Sequence, residues 1–329
     1  MRNNSGTISM DDPRQRRLFQ RKLLKWYELN RRNLPWRANR DPYRVWVSEI
    51  MLQQTRVAAV IPHYQKFLRR FPTVHKLAAA REPSVLAAWS GLGYYRRARM
   101  LHAASKKVVR QYSGQFPDSP EELRKLPGIG RYTAAAIASI AYGKPVAVVD
   151  GNVRRVLERF LGRTVAPSQL WQIAERLLYR ENPGDFNQAL MELGATVCLP
   201  KEPNCRHCPV KEQCATRGSF PKVKIRTRQI RRTICYTLDR QNGSVFLVKR
   251  SDNEPLMPGM WELPERDGPT LTNPRIRLRH SITVTDFEVL VTQGPAPRQT
   301  SGQWVKENRV EGLPLTGLAK KILRAARVI

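Results

Sequence analysis

The run Leu126-Pro127-Gly128-Ile129-Gly130-Arg131-Tyr132, continued by Val149-Asp150-Gly151-Asn152, restricts the fold of this chain more than any other stretch. A proline and two glycines break the chain between two flanks that read as helical. Ser119 suits an N-cap, Pro120 the first helical position, and Glu122 completes a capping box. Pro127 ends that first segment, because the residue before a proline is pushed out of the α region. The second segment starts at Gly130, runs through Ala134 to Ala138, and stops near Gly143 and Pro145. Gly128 and Gly130 supply backbone freedom that a Cβ would block. The amides at the start of the second helix then point outward at the positive end of its dipole, a ready anion site. An ordinary helix–turn–helix hairpin carries the same punctuation, so the glycines alone do not choose between the two. Asp150 also falls at a helix start, where it serves as an N-cap, as a cation-stabilising carboxylate, or as both.

The chain has 329 residues, room for two domains, and a net charge of +31 from 58 Lys and Arg against 27 Asp and Glu. A surplus of that size favours a polyanionic partner; a merely basic composition is the alternative. There is no apolar run of the ~18 residues that a membrane helix needs. Met1 to Arg17 has no apolar core and carries Asp11 and Asp12, unlike a signal peptide, so a short disordered start and a cytoplasmic protein are expected. Four of the five cysteines crowd together as C-x6-C-x2-C-x5-C: Cys198, Cys205, Cys208 and Cys214. In such a protein four close thiols point to a metal site rather than a disulfide framework. Zinc usually takes paired C-x2-C knuckles or includes histidine; His207 inside this loop is read as facing solvent or phosphate. Lys201, Arg206 and Lys211 make the loop a basic edge. Cys235 lies outside the set and reads as a core thiol.

Leu34-Pro35-Trp36-Arg37 leads into Asp41-Pro42, after which no Gly or Pro occurs from Tyr43 to Ile61. One long helix begun by Pro42 is predicted there. Glu49 is its only carboxylate, with Val45, Trp46, Leu52 and Gln53 one turn away. A carboxyl among mostly apolar neighbours has its pKa raised and suits a general acid; a surface Glu on an amphipathic helix is the alternative. Gly91-Leu92-Gly93-Tyr94-Tyr95-Arg96-Arg97-Ala98-Arg99 has the make-up of a loop that wedges an aromatic between bases while arginines meet phosphates. A helix–helix turn with a core tyrosine is the alternative. Residues 216–232 read as a basic linker. From Thr233 the pattern is β-like: Ile234 to Leu238 and Val245 to Val248 around a Gln241-Asn242-Gly243 turn, then strands at Ser281 to Thr285 and Phe287 to Val291. Gly317 to Ala326 reads as a closing helix.

LPGIGRYTA followed by VDGNVRR resembles the helix-hairpin-helix and Gly/Pro–Asp loop of the endonuclease III superfamily of base-excision DNA glycosylases. The cysteine spacing resembles that superfamily's [4Fe–4S] loop. Together with LPWR, PYRVWVSEIMLQQT and GLGYYRRAR, these motifs resemble the MutY family of adenine DNA glycosylases and cover most of the first 215 residues. Met257 to Pro264 resembles the strand and loop of a Nudix-like domain without its acidic metal-binding helix, so binding rather than hydrolysis is expected of the tail.

The resemblance implies an α+β multidomain chain. An all-α helix-hairpin-helix glycosylase domain would span residues 13–215 with the [4Fe–4S] cluster loop, and a basic linker 216–232. A Nudix-like α/β domain over 233–329 would recognise 8-oxoguanine. The implied activity is removal of adenine mispaired with 8-oxoguanine or guanine in double-stranded DNA, by a nucleoid-associated monomer that flips the base out. Glu49 matches the acid that protonates adenine N7. Asp150 matches the carboxylate that stabilises the oxocarbenium-like sugar, and Asn152 a residue that orients water. Tyr132 stands where bifunctional relatives carry a Schiff-base lysine, so strong lyase activity is not expected. Arg32, Leu34, Trp36, Arg37 and Gln188 would line the adenine pocket. Gln54 and Tyr94 would enter the duplex, with Leu92, Gly128 and Gly130 also at the DNA, and Cys198, Cys205, Cys208 and Cys214 would hold the cluster. The family's Phe-Ser-His segment corresponds here to His280 to Val284, with Thr283 for the serine hydroxyl and Val284 at the histidine position. Lesion discrimination is therefore expected to be weaker or built differently. An endonuclease III-like glycosylase/lyase is the second reading, opposed by Tyr132 and by the tail. A non-catalytic iron–sulfur DNA-binding protein is the third, opposed by Glu49 and Asp150.

Overall fold

The computed structural model describes residues 12–218, 230–254, 256–266, 274–282 and 285–329. The expected disordered start, most of the 216–232 linker, Thr283 and Val284 lie outside the described residues. The helices begin with α1 (Pro13–Asn30), α2 (Pro42–Leu52), α3 (Val57–Arg70), α4 (Val74–Ala78), α5 (Glu82–Trp89) and α6 (Arg96–Tyr112). They continue with α7 (Pro120–Leu123), α8 (Arg131–Tyr142), α9 (Gly151–Leu161), α10 (Pro167–Leu177) and α11 (Pro183–Thr196). Then come β1 (Ile230–Leu238), β2 (Arg240–Gln241), β3 (Ser244–Lys249), β4 (Trp261–Glu262), β5 (Ile276–Ile282), β6 (Thr285–Gln293) and β7 (Gln303–Lys306). Two helices, α12 (Glu307–Val310) and α13 (Gly317–Ala325), close the chain. The chain divides into two compact units, Met1–Gln54 with Lys107–Val223, and Thr55–Lys106 with Lys224–Ile329. This differs from boundaries drawn at 215 and 233: residues 55–106 group with the tail.

In the first unit α2 and α8 are apolar nearly all round and accordingly central. α2 is capped by Asp41, whose Oδ1 accepts from Tyr43 N at 2.8 Å. It does not continue to Ile61 as predicted. It stops at Leu52, and Gln54 takes a left-handed φ of 55° that no helix accommodates. Lack of Gly and Pro permits a helix without requiring one.

The hairpin before α8 forms with two corrections. Ser119 Oγ caps α7 by accepting from Glu122 N at 3.3 Å, but the capping box is half made: the Glu122 carboxylate takes Lys125 Nζ and Tyr112 Oη instead. Gly128 needs its freedom, with φ of 75°. Gly130 does not: its φ is −86°, and a Cβ there would meet nothing within 4 Å. No side chain caps the N-terminus of α8.

A stripe of Phe19, Leu23 and Tyr27 on α1, spaced by four, packs on Val153, Val156, Leu157 and Phe160 of α9 and on Phe186, Ala189, Leu190 and Leu193 of α11. Phe19 and Phe160 meet edge to face at 4.9 Å between centroids. α11 lies close to α9, because a Cβ at Gly194 would stand 2.6 Å from Asn152 Cβ.

The second unit joins α3, α4, α5 and the start of α6 to a mixed β region. One sheet has the order β1-β6-β5, with β1 and β6 parallel and β5 antiparallel to β6. In the other, β3 pairs with β2, β4 and β7. Asn242 and Gly243 both have positive φ, 47° and 67°, the two-residue hairpin turn that an Asn-Gly pair predicts. The strand predicted at Ser281 to Thr285 is instead divided: β5 ends at Ile282, β6 begins at Thr285, and those two residues pair. Alternation alone does not mark where β5 gives way to the antiparallel β6. α13 lays Leu318, Ala319, Ile322 and Leu323 on the core formed by Tyr236, Leu238, Val245, Leu247, Val289 and Val291.

Candidate active site

Glu49 projects from α2 into the first unit and is 6% exposed. Its Oε2 accepts from Tyr132 Oη at 2.6 Å. Burial pushes its carboxyl up to about 7; the Tyr132 hydroxyl and Arg37 oppose the rise and the Asp150 charge adds to it. A carboxyl poised there holds a proton near neutral pH and can give it up. Tyr132, in the first turn of α8, is pushed well above the usual phenol range by burial and by the Glu49 and Asp150 charges. It therefore remains a donor.

Asp150 caps α9, Oδ1 accepting from Val153 N at 2.7 Å and Oδ2 from Asn152 Nδ2 at 3.0 Å. Burial raises its pKa, while those donors work the other way. The cap and the functional carboxylate are thus one group. Both ends of the Asn152 amide are engaged within the protein: Oδ1 accepts from Arg155 Nη2 at 2.7 Å. Asn152 thereby orients the Asp150 carboxylate. Arg155 also donates to Gly194 O at 2.6 Å and to Cys198 O at 2.8 Å, tying α9 to α11 and to the cysteine loop. A Gly194→Ala protein is expected to displace Asn152, losing about 1–3 kcal/mol by overpacking and slowing any reaction that uses Asp150. Thermal melts with single-turnover rates check this; an unchanged rate would contradict the coupling.

α11 supplies a feature that sequence reasoning missed. Glu192, 1% exposed, takes Arg32 Nε and Nη2 at 2.7 and 2.8 Å and Arg37 Nη2 at 2.9 Å. Burial alone would raise its pKa, but the two guanidiniums outweigh it and hold the carboxyl at about 2. Arg32, expected with Arg37 to line a base pocket, gives its fork to Glu192, while Arg37 divides its donors between Glu192 and Arg32 O. Leu34 and Trp36 are buried beside them in sequence, and Gln188, one turn before Glu192, reaches Asp185 at 3.4 Å. Met191 Sδ lies 3.4 Å from Tyr132 Oη. Glu192 is the only carboxylate in the apolar run Phe186 to Val197, the same signal that singled out Glu49.

Cys198 follows the C-cap of α11, and Cys205, Cys208 and Cys214 lie in or next to two short 3₁₀ turns, all four half-buried. All four line one small cavity of about 30 Å³ floored by Val156, Phe160, Leu193 and Val210. Arg159, 4% exposed, donates to Cys198 Sγ at 3.3 Å and to Leu199 O at 2.6 Å. Among the described residues no three His, Cys, Asp or Glu side chains gather around a point that one ion could fill. Four thiols around a shared cavity suit a polynuclear group, whose metal atoms spread the ligands apart. Lys201, Arg206, His207 and Lys211 are exposed on the loop.

Other residues expected at DNA are placed as follows. Gln54, Gly128 and Gly130 are exposed in the first unit. In the second, Tyr94 is 53% exposed with φ of 50°, whereas Leu92 is buried at 6%. Of the three arginines expected to meet phosphate, Arg97 instead donates to Leu92 O and Gly93 O, and Arg99 pairs with Glu82; Arg96 is exposed.

Residues 47–178 match the HhH-GPD superfamily of base excision DNA repair proteins. The chain is 49% identical over 211 residues to the adenine DNA glycosylase of Rattus norvegicus, covering 60% of this chain and 41% of that protein. It therefore spans about two fifths of the mammalian relatives it matches. With the adenine DNA glycosylase of Buchnera aphidicola subsp. Baizongia pistaciae it is 42% identical over 256 residues, covering 74% of this chain and 72% of that protein. The structure of a thermostable thymine-DNA glycosylase superposes with a TM-score of 0.58 at 30% identity, over 62% of this chain and 97% of that one. The fold is the helical HhH-GPD fold with a mixed helix and sheet C-terminal region. Matched at that identity over most of the Buchnera protein, the chain belongs to the adenine DNA glycosylase family.

Proposed function

We propose that this chain is a base-excision enzyme that hydrolyses the N-glycosidic bond of adenine mispaired with 8-oxoguanine or guanine in double-stranded DNA. The observation that carries the reading is the buried Glu49 carboxyl, pushed up to about 7 and held by Tyr132, in a site with the helix-capping Asp150. The target base leaves the stack to reach these groups. Glu49 gives its proton to adenine N7, so that the base departs neutral. The Asp150 carboxyl, which accepts from Val153 N–H and Asn152, faces the positive sugar that remains, and water adds to its C1′ with loss of a proton. Tyr132 has no amine and forms no imine with the sugar, so strand cleavage stays weak.

Cys198, Cys205, Cys208 and Cys214 hold a [4Fe–4S] cluster. Bound there, the cluster supplies a structural cross-link of the loop, since hydrolysis moves no electrons. The uncapped start of α8, with open space at Gly130, meets a DNA phosphate. Tyr94 and Gln54 enter the duplex. The tail is a Nudix-like module for 8-oxoguanine, and the protein works as a cytoplasmic, nucleoid-associated monomer.

Single-turnover base release from duplexes with A opposite 8-oxoguanine, G or T tests this, each product split with and without alkali. Release ordered from fastest to none across that series, with breakage only after alkali, is expected. Breakage without alkali would favour a lyase, and no release from any duplex would overturn the reading.

A further inference from the structure

Within the second unit the tail reaches the loop that carries Tyr94. Two tail carbonyls accept hydrogen bonds from side chains that bracket this loop. Tyr95 Oη donates to Leu315 O at 2.7 Å, Ser90 Oγ to the same oxygen at 3.3 Å, and Arg99 Nη2 to Pro258 O at 2.6 Å. In the other direction Lys320 Nζ of α13 donates to Ser90 O at 3.0 Å. Ser90, Tyr95 and Leu315 are all buried, so these bonds form away from water. Leu315 is itself fixed, because Trp261 N donates to Pro314 O and Thr316 N to Trp261 O, each at 2.9 Å.

The loop needs such support. Gly91, Gly93 and Tyr94 have φ of 106°, 70° and 50°, and a tyrosine does not adopt a left-handed backbone unless its surroundings impose it. A Cβ at Gly91 would stand 2.9 Å from His63 Nε2 and 3.7 Å from Lys320 Nζ, so backbone and clamp are closely fitted. On the far side Trp89 Nε1 donates to Gly93 O at 3.1 Å and Arg97 holds the Leu92 and Gly93 carbonyls. The apolar base of the loop is thus pinned, while the Tyr94 ring, 53% exposed, stands outside it beside the Arg97 guanidinium at 5.3 Å.

We propose that Tyr95, Ser90 and Lys320 form a tail-dependent clamp that sets the position and angle of the Tyr94 ring for entry into DNA. Tyr95 and Lys320 are positioning residues acting through Tyr94, and the tail thereby contributes to base eversion at any mispair, whether or not 8-oxoguanine is present. The proposal rests on the reading of Tyr94 as the ring that enters the duplex.

A double-mutant cycle on the full chain tests it. The clamp variant Tyr95→Phe/Lys320→Met and the Tyr94→Ala variant are made singly and together. Single-turnover base release from an A·G duplex is measured with the fluorescence of a 2-aminopurine beside the target adenine, which reports unstacking without chemistry. The clamp variant loses two hydrogen bonds whose acceptors keep Ser90 Oγ and His63 Nε2 as partners; it is expected to lose about tenfold in rate, the order for two hydrogen bonds of modest net worth, and to show a smaller fluorescence rise. In the Tyr94→Ala background the same changes should cost no more than about twofold, because coupled residues are non-additive. Lys320→Met and Lys320→Arg are also measured alone, and the arginine variant should keep most of the rate that the methionine variant loses. The same fold loss in both backgrounds, or none in either, would overturn the clamp. Absence of base release from the parent protein would instead overturn the underlying functional reading, and the clamp with it.

Discussion

A Glu49→Gln protein is expected to release adenine about 10²–10⁴-fold more slowly than the parent, the usual contribution of a positioned general acid, and yet to unfold at a higher temperature at pH 8. Both effects come from one shift. The Glu49 carboxyl moves from 4.5 up to about 7 on folding, chiefly through burial. A group whose folded pKa is raised contributes stability that is fully present below its unfolded pKa, here near 4.5, and lost as pH rises through its folded value near 7. Above that pH the parent keeps an ionised carboxylate in an apolar setting, at a cost of about 3 kcal/mol. Glutamine keeps the shape and an acceptor for Tyr132 without the charge. The two proteins should therefore melt alike at pH 4 and differ by several degrees at pH 8. The parent's base release should also decline as pH rises through about 7. A variant as fast as the parent, or a melting difference independent of pH, would remove Glu49 from the acid role.

Glu192→Ala is expected to cost about 3–5 kcal/mol, the loss seen when one partner of a buried ion pair is removed and the other stays. Here two guanidiniums, Arg32 and Arg37, would be stranded. The sign is opposite to that at Glu49. Glu192 is held at about 2, so its stabilisation is present above the ordinary value of 4.5 and is lost as pH falls through 2. The parent should lose stability steeply over that acid range, and the alanine variant should lack this component. Urea melts at pH 7 and pH 3 check both points; a cost under about 1 kcal/mol at pH 7 would mean that the pair is solvated. The two glutamates divide the work by their surroundings: one receives a single phenol and stays a proton reservoir, the other receives two cations and stays a fixed charge.

What could be read from the sequence was local. Asp150 as a helix cap follows from its place before Gly151-Asn152, and the Asn242-Gly243 turn follows from two residues that tolerate positive φ. The crowding of the cysteines is itself a spacing. What could not be read depended on partners distant in the chain. Glu192 meets Arg32 from 160 positions away. Arg97 and Arg99 turn inward because carbonyls at Gly93 and Pro258 are there to receive them. The break after Leu52 is a backbone event at Gln54 that no Gly or Pro announces. The grouping of residues 55–106 with the tail is a property of packing, to which no motif corresponds.

The first unit is assembled from two stretches with some fifty residues between them, Met1–Gln54 and Lys107–Val223. During synthesis the stripe Phe19, Leu23 and Tyr27 leaves the ribosome well before α9 and α11, the helices that cover it. At roughly 5–20 residues per second the wait is on the order of ten seconds. Through that interval the nascent chain shows an apolar face with nothing to bury it, on a highly basic polypeptide in a cell full of polyanions. The helix that completes the core, α11, also brings Glu192 and leads into the cysteine loop, so a product truncated before it would have neither a closed core nor the partner of Arg32 and Arg37. Ribosome-bound chains ending before Pro183 should accordingly be clients of the holding chaperones.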